Sequence, residues 1–488
     1  MRIGGLASGM DIDTIVGDLM KAERIPLNKL SQKKMLLEWQ RDEYRSMNKL
    51  LGDLDKLIFD GIGRQAKFST KSVTSSNSNV VSATANGNAV NSMMNINVTN
   101  TATSATWAGS NSVSDKFVVP SDTQLSFTVT NGSGTTTSVQ TINLIAEDDI
   151  NTIISKFNSS GLNVTAFHDT QNGKFVISKK DTGDDASIVA DEATNQFMVK
   201  LGFTDDPLTT GQELSGKKNG SDALFTINGY QTTRTTNTFD ISGVTYTLHQ
   251  NGSANITVAN DTNATFDMIK SFVDKYNETI EAINKKTTET KYRDFPPLTD
   301  GQRKDLSEKE AELWDEKAKS GMLRRDSILL SGLNTMRQNL YSTVNTSDPN
   351  YNQLAQIGIT TSRNYLDDKG KLEINETKLR EVLATNPDSV MKLFTGEGTE
   401  KGIARKLIET IDTTVKKIEL KAGNALRNNA QFTLGRELTD VEKRISAFED
   451  RLSQVEDRYW RQFQAMEQAI QRSNQQGAYL MQQFGGGQ

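Results

Sequence analysis

The 488-residue sequence contains no cysteine and only two histidines, His168 and His249. The missing thiols exclude disulfides, thiolate zinc sites and cysteine nucleophiles, and two histidines are too few for a His-rich metal cluster. A lone histidine could still serve a Ser-His-Asp triad, but no G-x-S-x-G turn accompanies either one. No P-loop is present. Lack of cysteine over this length suits a protein that works outside the cell without disulfide staples, and an intracellular chain can lack it too. No run approaches the ~20 apolar residues that a membrane-spanning helix needs. The N-terminus lacks a basic stretch followed by an apolar core and a small-residue cleavage site, so no cleavable signal peptide is expected. Net charge is only −5, which gives no broad basic field for nucleic acid. Neither nucleic-acid binding nor membrane insertion is expected, and no cofactor, metal or catalytic site.

Proline is scarce as well, with seven in the chain. None lies between Pro26 and Pro120 and none follows Pro387, which leaves both ends free to form long helices. Both ends carry the matching pattern. Leu30, Leu37, Tyr44, Leu51 and Ile58 recur every seventh residue, with Met47 and Leu54 in the complementary slot. Leu434, Leu438, Val441, Ile445, Phe448, Leu452, Val455 and Tyr459 keep a 4-3 alternation. Gln462 interrupts it, and Phe463, Met466 and Ile470 carry an apolar stripe onward. Such a repeat keeps one seam turned toward a partner helix. At 1.5 Å per residue, 434–470 would be a rod of about 55 Å.

The middle of the chain changes character. From about Val73 to Asn263, Ser, Thr, Asn and Gly dominate. Leu125–Val129, Lys174–Ser178 and Val244–Leu248 alternate like strands. Asn131-Gly132, Asn228-Gly229 and Asn251-Gly252 are expected hairpin turns. One helix is expected at Asp148–Phe157, acidic at its start where the helix dipole favours it. Helix returns with the face Phe266, Ile269, Phe272, Val273, Tyr276, Ile280 and Ile283. A polar segment around Phe295-Pro-Pro-Leu298, a charged helix near 307–320 and a helix from Asp326 to Leu340, with Asp326 as its N-cap, follow.

Groups that could carry chemistry have ordinary explanations. The acidic clusters Glu147-Asp148-Asp149, Asp181 with Asp184-Asp185, and Asp205-Asp206 suit helix starts or solvated loops. A calcium loop from Asp367 fails because Lys369 and Lys371 stand where oxygen ligands belong. Gly61-Ile-Gly63 with Ala66 follows a helical run instead of a strand, which excludes a dinucleotide fingerprint. Each histidine is expected to be a hydrogen-bonded residue in or beside a strand. Asn97, Asn163 and Asn255 head glycosylation-type triplets that arise by chance in so Asn- and Thr-rich a chain. The Thr/Asn-rich strands leave an adhesin open as an alternative, its β head binding host or mucus glycans.

The fold class expected is a multidomain α+β protein. Its coiled-coil-like helical termini form a stalk or leg, followed by a helical core domain, with a β-rich, two-part head inserted in the middle. A two-helix stalk buries little apolar surface by itself, and Trp39 and Trp460 lie on or beside these helices as typical interface anchors. The seam is therefore expected to be an assembly interface. Its residues are Leu30, Leu37, Tyr44, Leu51, Ile58, Leu438, Val441, Ile445, Phe448, Leu452, Val455, Tyr459, Phe463 and Met466.

Two terminal blocks carry a family resemblance. Gly5-Leu-Ala-Ser-Gly-Met-Asp-Ile-Asp-Thr-Ile-Val16, with Leu19-Met20 and Ala22-Glu-Arg-Ile-Pro-Leu27, resembles the opening of bacterial flagellar filament-capping proteins, the hook-associated protein 2 family. The ending Tyr459-Trp-Arg-Gln-Phe-Gln-Ala-Met-Glu467 with Tyr479-Leu480 resembles their C-terminus. Phe225–Tyr230, Phe272–Asn277, Gly321–Arg324 and Gly370–Leu372 are similar interior blocks in the same order, whereas 84–219 carries few.

The resemblance implies a non-enzymatic cap. It would be exported through the flagellar type III apparatus with an export chaperone and assembled as a homo-oligomeric ring, commonly a pentamer, at the distal tip. Flagellin and the hook–filament junction proteins would be its partners. The implied domains are a leg from 1–45 and 430–488, a helical core from 46–70 and 265–429, a β head from 71–115 and 220–264, and an outer α+β head from 116–219. Such a cap retains exported flagellin and shelters its folding and insertion. Weak leg contacts would suit that work, with Gln462 and the tail glutamines Gln475, Gln476, Gln482 and Gln483 moderating the packing.

Overall fold

The computed structural model describes residues 9–135, 139–204, 213–364 and 368–484. They fall into two units: the N-terminal stretch through Phe68 together with Thr262 onward, and Ser69–Asp261.

In the first unit, helix α1 (Ile12–Glu23) starts where the Asp11 carboxylate accepts the Thr14 amide at 3.1 Å. It is followed by α2 (Ile25–Asp60), with Pro26 in its first turn, where a missing amide costs nothing. No further proline follows in α2, which runs through Gly52 and ends at Gly61, whose amide reaches the Leu57 carbonyl at 3.0 Å. The glycines around Ile62 thus end a helix, as their sequence context implies. The helix is continuous across residue 45. A short α3 (Gln65–Phe68) closes this part.

The second unit has two apolar centres. One lies between a five-stranded antiparallel sheet, in the order Lys71–Ser75, Gly252–Asn260, Ser92–Asn100, Ala223–Ile227 and Tyr230–Arg234, and a three-stranded sheet of Thr238–Ile241, Val244–Leu248 and Val81–Ala85. Phe225, Phe239 and Tyr246 stack in series through it, with ring centres 4.8 and 5.6 Å apart. The other gathers Trp107, Phe127, Phe157, Phe175 and Phe203 among strands that include Thr123–Thr130 and Lys174–Lys179. Helices α4 (Ile150–Asn158) and α5 (Glu192–Lys200) belong to it. Asp149 and Asp191 cap them, each accepting an amide three residues on at 2.8 Å.

Strand patterning is confirmed at 125–129, 174–178 and 244–248. Asn228-Gly229 turns a tight hairpin with both residues at positive φ, 49° and 83°, the geometry that Asn-Gly supplies. Asn251-Gly252 does not: the strands on either side of it pair with other partners, so it carries the chain between two sheets. Ser242-Gly243, at φ 54° and 81°, is a hairpin that the sequence reading did not foresee.

The chain then returns to the first unit as α6 (Thr262–Thr288), and its seven expected face residues are all buried. Short α7 (Asp300–Lys304) and α8 (Glu308–Lys319) follow, each started by a capping box. Asp326 caps α9 (Ser327–Leu340) as its position suggests, accepting the Leu329 amide at 2.9 Å. Helices α10 (Glu376–Thr385), α11 (Pro387–Thr395) and α12 (Ile403–Ala422) lead to α13 (Thr433–Phe484). At 52 residues, α13 is about 78 Å long.

Candidate functional site

The two heptad segments meet along the long axes of α2 and α13, and two separate apolar clusters form there. The larger takes Leu37, Tyr44, Met47, Leu51, Leu54 and Ile58 from α2 and Leu434, Leu438 and Val441 from α13. It also takes the buried faces of α6, α9 and α10 to α12. Ile445 packs against its edge, half-buried. A second cluster lies further along α13, where Leu452 and Val455 meet Ile12, Val16 and Met20 of α1, flanked by Leu27, Phe448, Tyr459, Trp460 and Phe463.

Polar contacts fix this arrangement. The Tyr459 hydroxyl donates to Glu23 Oε1 at 3.0 Å and ties α13 to α1. Lys34 pairs with Glu442 at 2.9 Å across α2 and α13, which raises the Lys34 pKa. Arg45 donates to the Ala422 carbonyl at 3.2 Å and lies over the Phe432 ring. The Tyr44 hydroxyl donates to the Asp326 carboxylate, the same group that caps α9. Burial, then that bond, pushes the Tyr44 pKa well above its ordinary value.

Of the fourteen seam residues, Leu37, Tyr44, Leu51, Ile58, Leu438 and Val441 are buried within this chain. Leu452 and Val455 are buried against α1. Leu30, Ile445, Phe448, Tyr459, Phe463 and Met466 are half-buried. The tryptophans are occupied too: Trp39 carries the Lys319 ammonium over its ring at 5.2 Å, and Trp460 packs beside the terminal cluster. Heptad reading missed Ile12, Val16 and Met20. Their four-residue spacing was the available signal, in a helix too short for a heptad search to register. Beyond Met466 the helix is open, with Tyr479, Leu480 and Met481 exposed.

The remaining candidates have structural explanations. Asp148 accepts the Lys156 ammonium and the Ile145 amide, and both hold its carboxyl below the usual range. Asp181 accepts the Gly132 amide at 2.6 Å and pairs with Lys179. His168 Nε2 lies 3.1 Å from the Val113 carbonyl, and His249 Nε2 lies 2.8 Å from Ser82 Oγ. Among the described residues no three acidic or histidine side chains could hold a metal, and no helix is long and apolar enough to cross a membrane. Asp205-Asp206, Asp367, Gln483 and the opening Gly5–Ser8 lie outside the residues whose side chains are described.

Comparison with known proteins bears on the same termini. A family model described as flagellar hook-associated protein 2 N-terminus matches residues 8–105, and one described as its C-terminus matches 220–475. The flagellar hook-associated protein 2 of Halalkalibacterium halodurans is 34% identical, over 99% of this chain and 100% of its own. That of Escherichia coli K12 is 25% identical, over 98% and 97%. The crystal structure of the D1-D2-D3 domains of the flagellar cap protein FliD from Escherichia coli superposes with a TM-score of 0.58 at 23% identity, over 82% of this chain and 99% of that one. At that identity it shows a shared fold.

Proposed function

The chain belongs to the flagellar hook-associated protein 2 family, and from that membership we propose that it caps the bacterial flagellar filament at its distal tip. The single observation behind this is similarity to a named relative along the whole length of both chains. Over 82% of the chain the α+β fold is shared with the D1-D2-D3 domains of the flagellar cap protein from Escherichia coli. The comparisons give no support to a glycan-binding adhesin, and that reading is set aside.

In this reading the chain is a structural protein without a catalytic step. Copies assemble into a ring, a pentamer by family resemblance, that retains exported flagellin and shelters its folding and insertion. Flagellin and the hook–filament junction proteins are its neighbours, and it reaches the tip through the type III export apparatus with a chaperone. The domain division at 45/46, 70/71, 115/116, 219/220, 264/265 and 429/430 belongs to the same proposal. Support for a working role of the termini comes from α13, which keeps apolar residues that no described residue buries: Leu480 and Met481 are 52% and 80% exposed. Within the seam, Leu30, Ile445, Phe448, Tyr459, Phe463 and Met466 have surface left for a partner. The residues already buried would hold the helices that present them.

Ile445→Asp tests the seam. It puts a charge at the edge of the main cluster, midway along the pattern. Cells carrying it are expected to grow short or no filaments while exporting the protein normally. Filaments of ordinary length would remove the seam from the mechanism.

A further inference from the structure

A groove runs between the start of α2 and the middle of α13. Its floor is apolar, from Pro26, Leu30 and Phe448. Its walls are four cations, Lys29 and Lys33 on α2 and Arg444 and Arg451 on α13. All four are exposed, and no described carboxylate pairs with them. Arg451 lies over the Phe448 ring at 5.8 Å, and the four like charges, without a carboxylate partner among the described residues, repel one another and favour an acidic occupant with an apolar anchor.

This chain carries such an element. On α8, Glu308, Glu312 and Glu316 recur every four residues and so share one face. All three are exposed, and none has an ion-pair partner among the described residues. Leu313, on the flank of this row with the exposed Lys309 one turn before it, is 54% exposed. The opposite side of α8 is inward, with Ala311 and Ala318 buried. Trp314 Nε1 donates to the Pro296 carbonyl at 2.7 Å.

The two surfaces lie along one helix, the groove on Pro26, Lys29, Leu30 and Lys33 of α2 and the attachments of the α8 segment on Gln32, Trp39 and Gln40. The segment bearing α8 is held to α2 by Gln32, whose amide donates to the Pro297 carbonyl at 2.8 Å, by Trp39 under Lys319, and by Gln40, bonded to the Met322 carbonyl at 3.3 Å. At about 100° per residue, Gln32 and Trp39 face about a third of a turn away from Pro26, Lys29, Leu30 and Lys33, while Gln40 lies on the groove's side of α2 further along the helix. Each copy therefore offers an acidic ridge on one flank and a basic groove on another. Two different patches that complement each other make a heterologous contact, the kind that closes rings.

We propose that the acidic face of α8 in one copy docks in the α2–α13 groove of the next, with Leu313 on the apolar floor. This rests on the self-assembling cap reading and names the surface by which neighbouring copies meet. Its charge pairs are solvent-exposed, so the contact is weak, exchangeable and salt-sensitive.

The cysteine-free sequence allows a direct test on the full-length chain. Leu313→Cys and Ala447→Cys are made separately, mixed and oxidised. Ala447 lines the groove between Arg444 and Arg451. The expected product is a mixed disulfide dimer, and a chain carrying both changes should give a ladder of higher oligomers. In parallel, Lys29→Glu with Lys33→Glu should weaken self-association at low salt about tenfold. Mixing that variant with Glu312→Lys plus Glu316→Lys should restore it. If the unchanged chain self-associates but no mixed dimer forms and the charge reversals have no effect, the docking proposal is overturned while the cap reading stands. Loss of flagellin binding instead, with self-association intact, would assign the groove to flagellin and equally overturn it. An unchanged chain that never self-associates would remove the cap reading itself.

Discussion

Leu452→Ala should release α1 without loosening the helical core. The second cluster has five buried side chains, Ile12, Val16, Met20, Leu452 and Val455. At about 2 kcal/mol each they supply about 10 kcal/mol. Ordering the 12 residues of α1, at about 1 kcal/mol each, costs about 12 kcal/mol. The flanking half-buried aromatics close the small difference, so α1 is held by little net free energy. Truncating Leu452 removes about 2 kcal/mol, at the low end for buried leucine because the site lies near solvent. That shifts the docked population about thirtyfold, at 1.4 kcal/mol per tenfold. Hydrogen exchange read by mass spectrometry gives the answer peptide by peptide. Residues 12–23 should lose most of their protection, while 47–58, around the fully buried Leu51, Leu54 and Ile58, keep theirs. Equal loss in both peptides, or none in either, would refute the picture of two independent clusters along α13.

Tyr44→Phe should cost about 1 kcal/mol through the lost bond to Asp326. Because burial and that bond raise the Tyr44 pKa above its ordinary 10.0, the folded state keeps a proton that the unfolded state gives up. Its contribution is full below pH 10 and falls as pH rises further, so alkaline melting curves of the variant should be flatter above pH 10. Asp55 shifts in the same direction but in the acid range, so it is a liability at neutral pH: burial, then the Asp412 charge, raises its pKa, and its Oδ1 has no partner among the described residues. Asp55→Asn should raise Tm at pH 7, with the gain disappearing once pH drops below the unfolded value of 3.8. Gly423 sits at φ +67°, and an added Cβ would lie 2.5 Å from the Phe432 ring. Gly423→Ala should cost about 2–4 kcal/mol in chemical unfolding, by combined strain and overpacking.

Much of this was legible in the sequence, for identifiable reasons. Strong periodicity over long proline-free stretches marked α2, α6 and α13, where one repeating face meets one core. Asp326 announced itself as a cap because its side chain acts within three residues of its own backbone. What could not be read was partnership. A heptad pattern specifies a buried seam but not which helix covers it, so Leu37, Tyr44, Leu438 and Val441 looked like surface awaiting another subunit, whereas they are buried in one cluster with residues of α6, α9 and α12. Trp39 looked like a free anchor for the same reason, since its cover, Lys319, comes from 280 positions away in the chain. Asn251-Gly252 carries hairpin chemistry, yet the strands beside it pair elsewhere, which only the sheet order decides. The groove escaped sequence reading because it combines residues of α2 and α13 brought together by the fold, whereas the acidic ridge is a four-residue repeat within one helix whose meaning depends on that groove.

The most direct test of the capping role is deletion of the gene, followed by electron microscopy of the cell surface and an assay for flagellin in the culture medium. The account predicts bare hooks, unpolymerised flagellin in the medium and lost motility, all restored by the full-length chain. Normal filaments on the deleted cells would contradict it.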